Sequence, residues 1–148
     1  MNNVRKTKTP WPQRTVDQRC GTRRKPLGLG LGLGLGRAWS GKDHVLRIDE
    51  HFNGWHDHAL KGAKPSSAQS TSLGIPRAIE TLIHVCAADL QAMESTLQDD
   101  RIGTVIIEAS DANYGCVPMA TDTLRALHDV ARNAGVVLIF DEIITGFR

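Results

Sequence analysis

The chain has 148 residues, of which 41% are hydrophobic and 23% are charged, and its formal net charge is +2. This composition is typical of a globular chain with one core, and no apolar run is long enough to span a membrane. Three scattered cysteines without a Cys-x-x-Cys spacing argue against a disulfide framework and indicate a reducing compartment, so we expect a cytoplasmic protein.

The first 36 residues differ from the rest. Residues 1–25 carry eight basic residues against Asp17 alone, whereas the remainder carries 10 basic and 15 acidic residues. Residues 27–36 are five consecutive Leu-Gly pairs, in which each glycine removes side-chain packing and adds chain entropy. We therefore predict that residues 1–36 form a poorly ordered, low-complexity arm and that residues 37–148 form the globular part.

The first half of the globular part predicts two strands joined by a loop. His44–Ile48 and Thr81–Cys86 are short apolar stretches typical of strands. Residues 49–75 between them are rich in Pro, Ser and Gly, which predicts a loop. Asp89 then suits the N-cap of a helix whose apolar positions are Leu90, Met93 and Leu97.

The second half predicts a strand, a helix and a further strand. Thr104–Ile107 is a strand that ends in Glu108. Thr121 can cap a helix, and Gly135 suits the left-handed residue that ends many helices. The apolar positions of this helix are Leu124, Leu127, Val130, Ala131 and Ala134. Val136–Phe140 has no polar face, which predicts a strand buried on both sides, with Asp141 and Glu142 at its carboxyl end.

Strands and helices that alternate over short connections predict an α/β fold with a mostly parallel sheet flanked by helices. In such a sheet, Glu108 and Asp141 lie at the same edge, on neighbouring or near-neighbouring strands. Ligands of open α/β sheets bind at this edge. A carboxylate there is either held by a partner or aimed at a bound cation.

A nucleotide-binding loop is one alternative interpretation. Residues 36–43, GRAWSGKD, come one residue short of the Gly-x4-Gly-Lys-Ser/Thr pattern. Asp43 replaces the hydroxyl that binds Mg²⁺ and brings negative charge beside the phosphates. A simple turn between two elements explains the segment as well.

A metal site is a second alternative, because His51, His56, Asp57 and His58 lie within eight residues. Imidazole and carboxylate suit Zn²⁺ or Fe²⁺, but the spacing matches none of the common ligand patterns. A third alternative is nonspecific binding of nucleic-acid phosphates by the basic arm. The arm lacks interleaved aromatic residues, so nucleic acid is not an expected partner.

Several motifs in order resemble one family over residues 37–148. They are RAWSGKDHVLRIDEHFNGWHD at 37–57, VIIEASDANYGCVP at 105–118 and LIFDEIITGFR at 138–148. They resemble the class III pyridoxal-phosphate-dependent aminotransferases, and the wording is most similar to the glutamate-1-semialdehyde 2,1-aminomutase branch. The resemblance implies that this chain is a fragment of the large domain of a fold-type I enzyme.

The resemblance also implies a cofactor and its contacts. These enzymes use pyridoxal 5′-phosphate as an electron sink, and Asp141 matches the carboxylate that keeps the pyridine nitrogen protonated, with a strand-end residue that caps the next loop as its alternative. Phe52 and Ile143 match the two residues on the faces of the ring, although ordinary core packing explains them equally well. Asn113 matches an asparagine near the ring hydroxyl, with a turn residue as its alternative. Glu108 matches a glutamate on the substrate side, with a solvated charge as its alternative.

The chain departs from the family pattern at several positions. Asn53 replaces the histidine after the stacking aromatic, Glu50 replaces a glycine, and Ala109 replaces the proline after Glu108. Upstream, the Leu-Gly repeats stand where the family has a helix opened by a phosphate-binding Gly-Thr-Glu-Ala turn, with Cys20-Gly21-Thr22 as a faint echo.

The family's cofactor-binding lysine follows the Gly-Phe-Arg motif, whereas the last lysine here is Lys64, so no residue of this chain matches the catalytic position. We therefore expect the isolated chain to bind the cofactor weakly or not at all and to have no transaminase activity. The resemblance implies a homodimeric parent enzyme that acts on a small-molecule amino donor and acceptor. The runner-up is a truncated, non-catalytic α/β chain.

Overall fold

The computed structural model describes residues 16–17, 25–63, 74–111 and 115–146, which form a five-stranded sheet and a two-stranded ribbon. The sheet contains β1 (Val16–Asp17), β2 (His44–Ile48), β3 (Ile83–Cys86), β4 (Ile102–Glu108) and β7 (Val137–Asp141). Its strand order is β1-β7-β4-β2-β3, and every pairing is parallel. The ribbon pairs β5 (Ser110–Asp111) with β6 (Val117–Pro118) in antiparallel fashion. The expected parallel α/β sheet is therefore confirmed.

The strands coincide closely with the sequence prediction. β2 has the predicted bounds, β3 begins two residues later than predicted, and β4 begins two residues earlier. All seven residues of β4 are buried, because this strand lies between β2 and β7 in the middle of the sheet. In β7 Ile139 is buried but its neighbours are only partly buried, so the prediction of complete burial is wrong. The physical reason is that β1 covers only two residues of β7 on its outer side.

The Leu-Gly repeat forms a helix, α1 (Lys25–Ser40), in a segment for which the sequence predicts a poorly ordered arm. Apart from Val16 and Asp17, the arm before Lys25 lies outside the described residues. A spacing of two residues turns successive side chains by about 200° around a helix. Leu33 is therefore buried against the sheet, while Leu31 and Leu35 face away from it.

Glycine explains how such a helix can pack. Gly36 is buried, and a Cβ added there would overlap the Oγ1 of Thr104 in β4. The missing side chain lets the helix backbone approach the sheet, which offsets part of the entropic cost of glycine in a helix. The Leu-Gly repeat is therefore helical, although its sequence departs from the helix that the family pattern has in this region.

Two helices pack together against the sheet. In α4 (Leu90–Thr96) the side chain of Asp89 accepts a hydrogen bond from Ala92 N at 2.8 Å, as predicted for an N-cap. The N-cap of α5 (Thr121–Asn133) is Ala120, without a side-chain cap, so the prediction for Thr121 is wrong. The chain enters α5 from the ribbon, where Met119 N donates to Ala109 O, and Thr121 is already helical there. Gly135 has a φ of 67°, which confirms the left-handed stop.

The apolar side chains form one cluster on each face of the sheet, as the alternation of strand residues dictates. The first cluster joins the sheet to α4 and α5, and includes Leu46, Ile48, Met93, Leu97, Val105, Ile107, Leu127 and Ala131. The second joins the sheet to α1 and to α2 (Asp57–Leu60), and consists of Leu33, Val45, Ala59, Ile83, Ile106 and Ile139. Arg47 and Glu108 alternate with the first cluster, so both lie on the face covered by α1 and α2.

The predicted loop between β2 and β3 is only partly described. It contains α2, while α3 (Arg77–Glu80) follows it directly and residues 64–73 lie outside the described part. Among the described helices, none combines the length and apolar character needed to cross a membrane.

Candidate ligand site at the carboxyl edge of the sheet

The candidate site lies where β2, β4 and β7 end. Glu108 is the last residue of β4 and Asp141 the last residue of β7, and the two are direct register partners. The sequence-based expectation that they share one edge is therefore confirmed. The loop after β2, residues 49–56, reaches the same edge through hydrogen bonds to both carboxylates.

Both carboxylate oxygens of Asp141 accept a hydrogen bond from a neutral donor. Oδ2 accepts from Asn53 Nδ2 at 3.2 Å, and Oδ1 accepts from the backbone N of Ile143 at 3.3 Å. Among the described residues, Asp141 takes part in no ion pair. Each oxygen of an ionised carboxylate can accept more than one hydrogen bond. The half-buried carboxylate of Asp141 can therefore accept a third hydrogen bond, from a cationic donor.

Glu108 is more deeply buried than Asp141, with only 2% of its surface exposed. Its Oε2 accepts from Phe52 N at 3.2 Å, and its backbone N donates to His51 Nδ1 at 3.0 Å. A neutral His51 therefore carries its proton on Nε2. These bonds connect the end of β4 to the loop that carries Phe52.

Sequence reasoning missed Arg47, which is completely buried in β2. Its Nη2 donates to His51 O at 2.7 Å and to Asn53 Oδ1 at 3.1 Å, and its Nη1 donates to Lys61 O. Burial lowers the pKa of this guanidinium to about 10, against the opposing effect of the Glu108 and Asp49 carboxylates, so Arg47 stays charged at neutral pH. A charged residue inside the apolar strand Val45–Ile48 was the available signal.

Of the three remaining candidate residues, the aromatic and the apolar one lie at this edge, and the asparagine lies outside the described residues. Phe52 is half-buried and meets Trp55 edge to face, with ring centroids 5.6 Å apart and an interplanar angle of 73°. Ile143 is half-buried and follows Asp141 in the turn after β7. Asn113 lies outside the described residues, as does the segment of Cys20 to Thr22.

The two alternative sites do not form. Residues 36–40 are the last turn of α1, and a strand follows, whereas a phosphate-binding loop precedes its helix. His51 is bonded to the Glu108 backbone, and His56 and His58 stack on each other with Nδ1 atoms 3.2 Å apart. Within the described ranges, no group of three His, Cys, Asp or Glu side chains is placed to hold a metal ion.

A parallel α/β sheet with polar side chains at its carboxyl edge is the architecture in which open α/β proteins bind their ligands. The sequence model of the aminotransferase class-III family matches residues 53–148. The glutamate-1-semialdehyde 2,1-aminomutase of Aeropyrum pernix is 38% identical over 118 residues, which are 76% of this chain and 28% of that protein. The protein of the same name from Desulfotalea psychrophila is 37% identical over 121 residues, which are 76% and 27% of the two chains. The chain belongs to the class III aminotransferase family.

Solved structures agree with this assignment. An omega-transaminase from Sphaerobacter thermophilus matches with a TM-score of 0.71 and 25% identity, over 79% of this chain and 30% of that chain. A glutamate-1-semialdehyde-aminomutase from Pseudomonas aeruginosa PAO1 matches with a TM-score of 0.65 and 27% identity, over 82% and 27%. A lysine-to-alanine variant of that enzyme, in complex with PMP, has a TM-score of 0.66 and 26% identity, over 82% and 28%. This chain thus has the fold of these enzymes and spans about 28% of the length of the first curated relative it matches.

Proposed function

We propose that this chain is the part of a pyridoxal 5′-phosphate-dependent aminotransferase or aminomutase that receives the pyridine ring of the cofactor. The observation that carries the proposal is the half-buried carboxylate of Asp141, held by two neutral donors at the ligand-binding edge of the sheet. When bound, the cofactor supplies an electron sink that stabilises negative charge on the carbon next to the substrate nitrogen.

The side chains at this edge fit the chemistry of the cofactor ring. Asp141 would accept a hydrogen bond from the protonated ring nitrogen and favour its charged form, because an anion at hydrogen-bond distance stabilises a cation. Phe52 and Ile143, both half-buried at the carboxyl edge of the sheet, would orient the flat ring from its two faces. Glu108 would lie on the substrate side, and Asn113 near the ring hydroxyl.

Of the two outcomes expected from the sequence for the isolated chain, weak binding of the cofactor or none, we further propose weak binding, and we propose that the 148 residues alone do not catalyse transamination. The contacts of Lys61 support this, because its Nζ donates to the carbonyls of Glu80 and Ile83 near the β3 edge of the sheet. The complete enzyme would be a cytoplasmic homodimer that moves an amino group between small molecules. Cys86 and Cys116 are free thiols, which is consistent with a reducing compartment.

Binding of pyridoxamine 5′-phosphate tests the ring-binding role, because this form lacks the aldehyde that reacts with any surface lysine. We expect weak binding, with a dissociation constant of about 1 mM, detected by NMR shifts of Phe52 and Asp141. Asp141→Asn removes a charge-assisted hydrogen bond worth about 1.5–3 kcal/mol, so the dissociation constant should rise roughly 10- to 100-fold. Asp122→Asn, at the exposed start of α5, is the matched control and should change nothing.

Two results would contradict the proposal. One is the absence of any shift at the carboxyl edge with ligand in tenfold excess over the expected dissociation constant. The other is equal binding to wild type and Asp141→Asn. Borohydride reduction in the presence of pyridoxal 5′-phosphate tests the statement about the isolated chain. Mass spectrometry should find no lysine labelled stoichiometrically, and complete labelling of one lysine would refute that statement.

A further inference from the structure

A buried cation is connected to Asp141 through a single amide. Arg47 Nη2 lies 3.1 Å from Asn53 Oδ1, and Asn53 Nδ2 lies 3.2 Å from Asp141 Oδ2. The three side chains come from β2, from the loop after it and from the end of β7. Arg47 and Asn53 are 0% and 1% exposed, so water does not compete for the hydrogen bond between them, whereas Asp141 is only half-buried.

The chemistry of the three groups fixes the direction of the amide. A guanidinium has only donors and an ionised carboxylate has only acceptors. Asn53 must therefore turn its oxygen toward Arg47 and its NH₂ group toward Asp141, since the flipped amide would leave both contacts repulsive. A buried polar group with an unmade hydrogen bond carries a desolvation penalty, and this penalty holds the amide in one orientation.

Arg47 also holds the loop on which Asn53 and Phe52 lie. Its guanidinium binds the carbonyls of His51 and Lys61, near the two ends of the segment between β2 and the end of α2. One buried side chain thus fixes the backbone beside Phe52 and the amide that faces Asp141.

We propose that Arg47 and Asn53 form a positioning relay that holds the Asp141 carboxylate in the orientation that receives the cofactor ring. This inference rests on the proposed function and adds two residues to it, neither of which touches the cofactor. The amide of Asn53 neither gains nor loses a proton near neutral pH. Its hydrogen bond to Asp141 therefore does not change with the protonation of the residue that connects Asp141 to Arg47. The family pattern has histidine at the position of Asn53, a group that does titrate in this range.

Hydrogen exchange of the Asn53 side-chain NH₂ tests the relay in the chain without any ligand. Both Arg47→Lys and Asp141→Asn should accelerate this exchange at least tenfold, because each weakens one of the two charge-assisted hydrogen bonds that fix the amide. The double variant should exchange no faster than the faster single variant, since the relay is already broken. Ile102→Val, which trims the same sheet without touching these side chains, is the matched control and should stay within twofold of wild type.

The affinity for pyridoxamine 5′-phosphate connects the relay to the cofactor. Arg47→Lys should raise the dissociation constant about tenfold, but should have no further effect in the Asp141→Asn background. Asn53→His should retain wild-type affinity at pH 8, where a neutral imidazole can accept from Arg47 and donate to Asp141. Asn53→Leu, similar in volume, should lose about as much affinity as Arg47→Lys.

The outcomes separate the relay from the function on which it rests. Exchange within twofold of wild type in Arg47→Lys, or additive effects of Arg47→Lys and Asp141→Asn, would overturn the relay. If Arg47→Lys does not fold, Asn53→Leu decides by the same measurement of affinity. Failure of the wild type to bind the ligand would refute the ring-binding function, while the exchange data would still judge the relay.

Discussion

Glu50 brings a strained backbone close to the candidate site. Its φ is 69°, in the left-handed region that costs a non-glycine residue about 1–2 kcal/mol. The conformation is held by the backbone N of Glu50, which donates to Gly62 O at 2.7 Å. Phe52 follows two residues later, so the turn that carries the strain also aims the proposed ring-stacking residue. In the family pattern that the sequence resembles, this position is a glycine.

Glu50→Gly should raise the free energy of unfolding by about 0.5–1 kcal/mol. Glycine adopts this φ without a steric penalty, and that gain exceeds the extra chain entropy it adds to the unfolded state. Urea unfolding followed by circular dichroism measures the change. The control is Glu94→Gly in the exposed part of α4, which should lose about 1 kcal/mol. Equal losses in both variants would mean that the contacts of the Glu50 side chain outweigh the strain.

At the scale of the element, α1 shows how tertiary contact overrides local preference. Its repeat has the period of a strand and a glycine at every second position, two features that disfavour a helix. Packing selects the helix because Leu33 is buried in the cluster with Val45 and Ile106, and because Gly36 permits close approach to Thr104. Leu31, Leu35 and Trp39 remain exposed on the opposite side of the helix, at 62%, 49% and 59%.

Two glycines of α1 should respond in opposite directions to the same substitution. A Cβ at Gly34 meets nothing within 4 Å, so Gly34→Ala should stabilise the chain by about 0.5–1 kcal/mol through helix propensity. A Cβ at Gly36 would overlap the Thr104 side chain, so Gly36→Ala should cost about 1–3 kcal/mol. Thermal unfolding of the two variants measures both changes. If Gly36→Ala also stabilises, α1 does not pack on β4 as the structure describes.

At the scale of the whole molecule, the sheet has polar groups at both ends. Opposite the Asp141 edge, His44 Nδ1 and His84 Nε2 lie 2.8 Å apart, and His84 Nε2 is 3.9 Å from Asp99 Oδ2. Burial lowers the pKa of His84, and the charges of His44, Arg101 and Lys61 add to this effect against Asp99. His58, beside the loop that carries Phe52, also has a lowered pKa, chiefly through burial.

The folded chain should therefore be more stable at pH 7 than at pH 5. Between the lowered folded pKa and the unfolded value of about 6.5, the unfolded state binds more protons, so the free energy of unfolding rises with pH. The lowered pKa of Asp99 acts only below about pH 4 and does not contribute to this interval. His84→Gln should reduce the difference between urea unfolding at the two pH values, while His128→Gln, on the outer surface of α5, should leave it as in wild type. An unchanged difference in His84→Gln would contradict the assignment to His84.

Most strands, the parallel sheet and the shared edge of Glu108 and Asp141 could be predicted from the sequence. Apolar runs such as Val136–Phe140 predict strands, although not their complete burial, and the short connections between elements impose parallel pairing, so local patterns are sufficient there. The family followed from the order of several motifs along the chain. The sequence also marked Asp141 and Phe52 as candidates, since both occupy loop or strand-end positions that pattern matching can find.

The tertiary structure alone decided how those residues are held and what α1 is. In the sequence, Arg47 is only a single charged residue in an apolar strand. The fold brings His51, Asn53 and Lys61 around its guanidinium, and only the structure shows these contacts. The hydrogen bond of Asn53 to Asp141 spans 88 positions in the sequence, a separation that no local pattern encodes. The helix of the Leu-Gly repeat likewise depends on a distant contact, because Gly36 has no side chain that would overlap Thr104 of β4. Local sequence determines where the backbone can pair, whereas contacts between distant residues determine which polar groups meet and which poor helix former becomes a helix.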